Sequence, residues 1–197
     1  MLLLCAIALL CSMPVSLSAP LACEDLLRPL GQLDPRHLEG RWAMVAGSLS
    51  HPPFMERLRS RESATASFSS NTSETSISFR RSMRLDDECH YASYNISVEG
   101  SSFTFDNRSI NTTFTHTSCR DCILLSFDVE SGKRQHFYLF SRRRQLEQEE
   151  IEEFTAQVEC LKMPPPAVMD PTKELCPDET ASDPAARNEE KTKGQRS

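Results

Sequence analysis

Histidines and carboxylates are the first side chains to consider for chemistry. The chain has five histidines, and their spacing contains neither an H-E-x-x-H nor an H-x-H pattern, so it predicts no metal site. The carboxylates at 86–88 fall in a turn, where we interpret them as solvated charge. No G-x-S-x-G sequence exposes a nucleophilic serine, and no glycine-rich loop could hold a phosphate. We therefore predict no enzyme, no cofactor and no metal.

The cysteines indicate an oxidising compartment. Of eight cysteines, Cys5 and Cys11 lie in the apolar N-terminal run. The other six suit three disulfides, although their spacing alone leaves the connectivity open. Cys119 and Cys122 form a C-x-x-C pair, which could also be a redox dithiol or half of a zinc site. A redox pair needs a helix N-terminus and a structural zinc needs two more ligands, whereas this pair lies between predicted strands.

The N-terminus predicts secretion. The apolar run of residues 1–11 is followed by Pro14 and by small residues at Ser16 and Ser18, which is typical of a signal peptide cleaved after residue 18. The alternative is a retained anchor, but the run is shorter than the roughly 20 residues that span a bilayer. Four asparagines in N-x-S/T sequons also favour an extracellular glycoprotein: Asn71, Asn95, Asn107 and Asn111.

Charge and composition exclude some partners. The formal net charge is -6, and no basic stretch is long enough to neutralise a row of phosphates, so we expect no nucleic-acid partner. Residues 177–197 lack apolar side chains that could pack, which predicts a disordered tail. We expect a monomer without integral membrane contact.

Apolar residues alternate with polar ones through most of the middle of the chain. Such alternation predicts strands with one buried face. Eight candidate strands lie at 42–48, 64–68, 77–79, 94–98, 103–105, 111–117, 122–129 and 135–142. An amphipathic helix is predicted at 145–162. The fold class is therefore all-β with one C-terminal helix, and residues 19–176 are predicted to form an eight-stranded antiparallel up-and-down β-barrel, because closure removes exposed sheet edges.

Two short motifs resemble those of the lipocalin family. Gly40-Arg-Trp42 is similar to the G-x-W signature that opens the first strand, and Phe140-Ser-Arg142 is similar to the motif whose arginine covers that tryptophan in a cation–π contact. The segment 117–121 departs from the family's middle motif. Within the family, the stretches 88–91, 125–129 and 154–161 resemble alpha-1-acid glycoprotein and the fish tributyltin-binding and saxitoxin- and tetrodotoxin-binding proteins, with apolipoprotein M as a neighbour.

The resemblance also implies a disulfide pattern. It pairs Cys23 with Cys160 and Cys89 with Cys176, and it leaves Cys119 and Cys122 to each other.

The phase of each predicted strand predicts the cavity lining. On the fourth strand, a sugar on Asn95 must face water and turns Tyr94 inward, unless a bulge inverts the phase. The predicted lining from the strands is Phe68, Phe79, Arg81, Met83, Tyr94, Phe105, Phe114, His116, Leu125, Phe127, Tyr138 and Phe140. The alternative is that these side chains fill the barrel and leave no cavity.

The loop at 51–61 would lie across the barrel mouth in a lipocalin. Phe54 and Met55 are candidates for an apolar lid, and Arg57, Arg59 and Arg61 for contacts with an anionic head group. The acidic net charge favours cations instead, so the sequence leaves the charge of the ligand open.

These features predict a secreted carrier that binds a small lipophilic or amphipathic molecule inside the barrel. The resemblance suggests drugs, organotin compounds or guanidinium toxins as cargo. Two alternatives remain, a lipid carrier on lipoprotein particles and a glycoprotein that acts through its surface without a ligand.

Overall fold

The computed structural model describes residues 22–31, 33–70, 77–105 and 110–178. Eight strands follow one another along the chain. They are β1 (Gly40–Leu49), β2 (Ser63–Ser70), β3 (Ile77–Leu85), β4 (Glu88–Glu99), β5 (Ser102–Phe105), β6 (Ile110–Thr115), β7 (Cys122–Val129) and β8 (Arg134–Ser141). A two-residue strand, β9 (Ala167–Val168), also pairs with β1; sequence alternation cannot reveal a strand this short.

The eight strands close into an antiparallel barrel. Each strand pairs with the next, and β1 pairs with both β2 and β8. Trp42 lies opposite Ala66 on β2, and Met44 lies opposite Phe140 on β8. The register of β1 against β8 shifts between Met44 and Ala46, as in a β-bulge. Closure leaves no free edge between β1 and β8, which confirms the predicted fold class.

Within the described ranges, four helices accompany the barrel. The two short ones, α1 (Cys23–Leu26) and α2 (Pro35–Leu38), lie in the segment before β1. The third, α3 (Pro52–Arg59), occupies the segment that was predicted as a loop. It forms a helix because two prolines fit its first turn, where no N–H partner is needed, and Met55 and Leu58 are spaced to bury one face.

The fourth helix, α4 (Gln148–Cys160), lies within the predicted 145–162 and covers the outer wall of the barrel. A capping box between Glu147 and Glu150 starts it. Phe154 stacks on Phe137 of β8 with ring centroids 5.3 Å apart. This contact belongs to a second core between the wall and the helix, separate from the core inside the barrel.

Three disulfides tie the peripheral segments to this framework. Cys23 of α1 is bonded to Cys160 at the end of α4, and Cys89 of β4 is bonded to Cys176. Cys119 is bonded to Cys122, which excludes a reduced dithiol or zinc thiolate pair in this structure. The segment 163–178, which we name the strap, is thereby held along β1 and β4.

The predicted signal peptide at 1–18 and residues 179–197 of the predicted tail lie outside the described residues. The first two tail residues are described and contact the barrel. Tyr91 donates a hydrogen bond to the Pro177 carbonyl at 3.0 Å, and Arg41 pairs with Asp178 at 3.1 Å. No helix among the described residues is long and apolar enough to cross a membrane.

Candidate ligand-binding site

The interior of the barrel is filled at one end. We name the part defined by Trp42, Phe68, Phe103, Phe114 and Leu125 the closed half. All five side chains are at most 2% exposed, and Phe103 contacts the rings of Phe68 and Phe114 at centroid distances of 6.3 and 5.5 Å. These side chains pack against one another as part of the barrel core.

Three predicted lining residues therefore belong to the core instead. Phe68, Phe114 and Leu125 point inward, as their strand phase predicts, but they do not line the cavity in the open half. Strand phase determines on which face of the sheet a side chain lies. It does not determine whether that side chain reaches the cavity or packs in the core below it.

A cavity of about 260 Å³ occupies the other part, which we name the open half. Nine of the predicted residues line it: Phe54, Phe79, Arg81, Met83, Tyr94, Phe105, Phe127, Tyr138 and Phe140. Arg61, a predicted contact for an anionic head group, also lines it. Sequence reasoning missed other lining residues, which include Met44, Ala64, Ala66, Ile110, Val129, Arg134 and His136. Ala64, Ala66 and His136 share the inward phase of their strands, so the same rule could have found them.

Small side chains explain why the cavity exists. The inward positions of β2 are Ala64 and Ala66 toward the mouth and Phe68 farther in. The two alanines leave open the space that the phenylalanine fills.

Helix α3 lies at the mouth and presents Phe54 to the cavity. The Phe54 ring lies 6.2 Å from the His136 ring, and the Arg134 guanidinium lies 5.1 Å from the Phe54 centroid. Met55 is 1% exposed and packs in the barrel core. Arg57 and Arg59 are exposed and do not line the cavity, because the helix turns them outward.

The cavity carries positive charge. Arg61, Arg81 and Arg134 line it, and the described residues of its lining include no aspartate or glutamate. Arg134 pairs with Glu130 at 2.5 Å. Arg81 lies 3.4 Å from the Tyr94 hydroxyl, with its guanidinium 5.7 Å from the ring centroid.

Burial and these arginines perturb two titratable groups. Burial, followed by repulsion from Arg134, Arg61 and Arg81, lowers the pKa of His136 from 6.5 to about 4. Burial raises the pKa of Tyr138 above its ordinary value. His136 Nδ1 and the Tyr138 hydroxyl are 3.4 Å apart. At neutral pH the site therefore holds a neutral imidazole among guanidinium cations.

His116 is not in the cavity, contrary to the prediction from strand phase. Strand β6 ends at Thr115, so the alternation no longer determines where the next side chain points. The His116 ring is instead 2.9 Å from the Arg28 guanidinium, and its carbonyl accepts a hydrogen bond from Gln157 at 3.0 Å.

The two sequence motifs meet at the closed end. The Arg142 guanidinium lies 3.6 Å from the Trp42 ring centroid and donates to the Arg41 carbonyl at 2.8 Å. The Trp42 indole donates to the Leu38 carbonyl at 2.8 Å. Gly40 has φ +94°, and a Cβ there would lie 3.1 Å from Arg142, so a larger residue would be strained and crowded.

The comparison with protein families decides the assignment. A model described as the ApoM domain matches residues 31–177. The chain belongs to the ApoM family of lipocalins. The structure of the siderocalin Ex-FABP, described as functioning through dual ligand specificities, has a TM-score of 0.61 and 14% identity and covers 73% of this chain and 96% of its own. That likeness shows the lipocalin fold. No curated protein sequence matches the chain.

The family and the apolar cavity together indicate binding of a small hydrophobic ligand. Among the described residues, no group of three or more histidine, cysteine, aspartate or glutamate side chains could hold a metal ion. Two sequon asparagines, Asn95 and Asn111, are exposed on the barrel. Asn71 and Asn107 lie outside the described residues.

Proposed function

We propose that this ApoM-family protein is a secreted, N-glycosylated carrier that reversibly binds one small lipophilic or amphipathic molecule in the open half of the barrel. The observation that carries the proposal is the cavity itself, which is enclosed by aromatic and aliphatic side chains and has cationic groups on one side. Burial of apolar ligand surface would provide the drive, at roughly 25 cal/mol per Å².

The size of the cavity limits the cargo. Its volume of about 260 Å³ is slightly below the range of about 300–1,000 Å³ that is usual for ligand pockets. A single-chain amphipath or a compact lipophilic molecule suits this space better than a lipid with two acyl chains.

The charges favour an anionic head group. Arg61, Arg81 and Arg134 can each donate hydrogen bonds to a carboxylate, sulfate or phosphate. A guanidinium toxin would meet like charge in this cavity, so we favour an anionic amphipath over that cargo. Tyr94 and Tyr138 supply further polar groups for selection.

Membership of the ApoM family supports an amphipathic lipid as cargo and lipoprotein particles as the partner. Sequestration of a toxin or xenobiotic remains the alternative that the sequence resemblance suggested. In both cases the cavity performs the same physical task, which is to remove an apolar surface from water.

Native mass spectrometry of the secreted, deglycosylated protein tests the proposal. We expect a mass difference between the native and denatured protein that corresponds to a released small molecule. We also expect the ligand-free protein to take up the neutral fluorescent probe N-phenylnaphthylamine. A barrel that releases nothing and takes up no probe would contradict the proposal and favour a glycoprotein that acts through its surface.

A variant pair locates the binding in the cavity. Ala64 is 5% exposed and lines the cavity, so Ala64→Leu should fill part of it and weaken probe binding by about tenfold. Ser93 is exposed on β4, so Ser93→Leu adds the same side chain outside the cavity and should leave probe binding unchanged. Equal effects of the two variants would place the probe elsewhere.

A further inference from the structure

His136 places an imidazole ring in the wall of the cavity. His136 lies on β8, with Phe54 of α3 and Tyr138 of its own strand beside its ring at centroid distances of 6.2 and 6.0 Å. Its Nδ1 is 3.4 Å from the Tyr138 hydroxyl. Its Nε2 is buried and has no hydrogen-bond partner among the described residues. A buried polar atom is usually paired, so this one calls for a physical explanation.

Among the described residues, the groups that face His136 are cationic or neutral. Arg61 precedes β2, Arg81 lies on β3, and Arg134 lies on β8 with the histidine itself. Tyr138 is the other titratable group in contact with the ring. The Nε atoms of Arg61 and Arg134 are also buried without a hydrogen-bond partner within the described chain. Several nitrogens without a hydrogen-bond partner therefore surround one part of the cavity, and no carboxylate among the described lining residues accepts from them.

We propose that His136 takes up a proton from solvent when an anionic head group enters the cavity, and that its Nε2–H then donates a hydrogen bond to that anion. An anionic amphipath is consequently bound more tightly at mildly acidic pH than at neutral pH. The inference rests on the proposed function, since it concerns the same cavity, and it adds a proton to the binding reaction.

The physical reason is a change in the charge around the imidazole. In the free protein, burial and three guanidinium groups disfavour the imidazolium, and the pKa of His136 is about 4. A bound anion offsets the positive potential and offers a hydrogen-bond acceptor for the imidazole. Both effects favour the protonated form of His136. Because proton binding and ligand binding are linked, each must strengthen the other by the same factor.

Two related probes separate this effect from hydrophobic binding. Anilinonaphthalene sulfonate carries a sulfonate that stays ionised across the pH range, and N-phenylnaphthylamine has the same ring system without that charge. We expect the affinity for the sulfonate to rise by about tenfold from pH 7 to pH 5, with at most about tenfold per pH unit. The affinity for the neutral probe should not change.

Calorimetry measures directly how many protons the protein takes up when the ligand binds. Titration of the sulfonate at pH 5.5, in two buffers with different ionisation enthalpies, should show net uptake of a proton on binding. The ring signals of His136 in an NMR titration should show a higher pKa with the sulfonate than without it. Both measurements use the unaltered protein, so they do not depend on the folding of a variant.

Two variants assign the proton to one residue. His136→Gln retains a side-chain N–H but cannot titrate, so its affinity for the sulfonate should be nearly equal at pH 7 and pH 5. His90 is exposed on β4, and His90→Gln should retain the pH dependence of the unaltered protein. The comparison also removes the general effect of a less negative protein at low pH, because both variants share it.

The outcomes distinguish the inference from the proposed function. If neither probe binds, the carrier proposal fails and the inference fails with it. If both probes bind but the sulfonate binds without proton uptake, or if His136→Gln keeps the pH dependence, the inference is wrong and the carrier proposal stands. Near-ultraviolet circular dichroism at each pH ensures that the probes report on the folded barrel.

Discussion

The closed and open halves of the barrel are built from the same strands but differ in packing and charge. In the closed half, Phe103 is 1% exposed and surrounded by other aromatic rings. In the open half, Phe127 is only half-buried and borders the cavity together with three arginines. The comparison shows that one barrel can be tightly packed in one part and leave a cavity in the other.

Side-chain size along the strands creates the difference. Strand β2 places two alanines in the open half and Phe68 in the closed half. Strand β8 adds His136 and Tyr138 at the cavity. The interior of this barrel is therefore filled by side chains from the closed end up to a certain level along the barrel axis. That level determines the volume left for a ligand.

A matched pair of phenylalanine truncations gives the largest expected contrast. Phe103→Ala should lower the free energy of unfolding by about 3–5 kcal/mol, because it leaves a hole in a fully packed core. Phe127→Ala should lower it by about 1–2 kcal/mol, because one side of that ring already borders open space. Urea denaturation of both variants measures the difference. Equal losses would mean that the two halves are packed alike.

Removing the disulfide with the long sequence separation should destabilise the protein more than removing the one with the short separation. Removing Cys89–Cys176, which closes a separation of 87 residues and holds the strap, should cost about 3–4 kcal/mol. Removing Cys119–Cys122, with a separation of 3, should cost about 1–2 kcal/mol. Double alanine variants in thermal or urea denaturation provide the test. A larger loss from the short pair would contradict the chain-entropy argument.

The stability of the ligand-free protein should depend on pH through His136. The pKa of this residue is about 4 in the folded protein and 6.5 in an ordinary environment, so between these values the unfolded chain binds the proton more readily. The free energy of unfolding should therefore fall as the pH falls below 6.5, by about 1–2 kcal/mol at pH 5 after allowance for solvent screening.

Urea denaturation at pH 7 and pH 5 measures this effect. His136→Gln should show a smaller loss between the two pH values than the unaltered protein, whereas His90→Gln should show the same loss. If His136→Gln and the unaltered protein lose the same amount, the imidazole in the open half is not the group that titrates.

Loss of a glycan should have the smallest effect on the stability of the barrel. Asn95 and Asn111 are exposed on strands β4 and β6, so Asn95→Gln and Asn111→Gln should each remove one glycan mass and change stability by less than about 0.5 kcal/mol. Glycosidase digestion of the secreted protein should lower its mass in up to four steps. A mass that digestion does not change would contradict the extracellular prediction.

Local patterns predicted the architecture well. Alternation in the strands and the change of period near residue 145 depend only on which residues are apolar, and they predicted the closed barrel and α4. The G-x-W and Arg motifs predicted the contact of Arg142 with Trp42 because that contact belongs to the family resemblance. The same resemblance implied the three disulfide pairs that the structure contains.

The predictions were wrong where a strand ends, or where contacts with other strands determine the local structure and packing. Strand phase extended to His116, but β6 ends one residue earlier. The 51–61 segment was predicted as a loop, whereas burial of Met55 and Leu58 in the barrel stabilises a helix. Phe68 and Phe114 were wrongly predicted to line the cavity. Strand phase shows that a side chain points inward, but it does not show how far along the barrel axis the side chain lies.

The sequence by itself determined the eight barrel strands, α4, their order and the inward face of each strand, because these follow from periodicity within a few residues. The tertiary structure decided which inward residues pack together and which leave a cavity, because that depends on side chains from strands far apart in the chain. It also decided the electrostatics of the site. Arg61, Arg81, Arg134 and His136 are separated by up to 75 residues in the sequence, and only barrel closure brings their charges into one cavity.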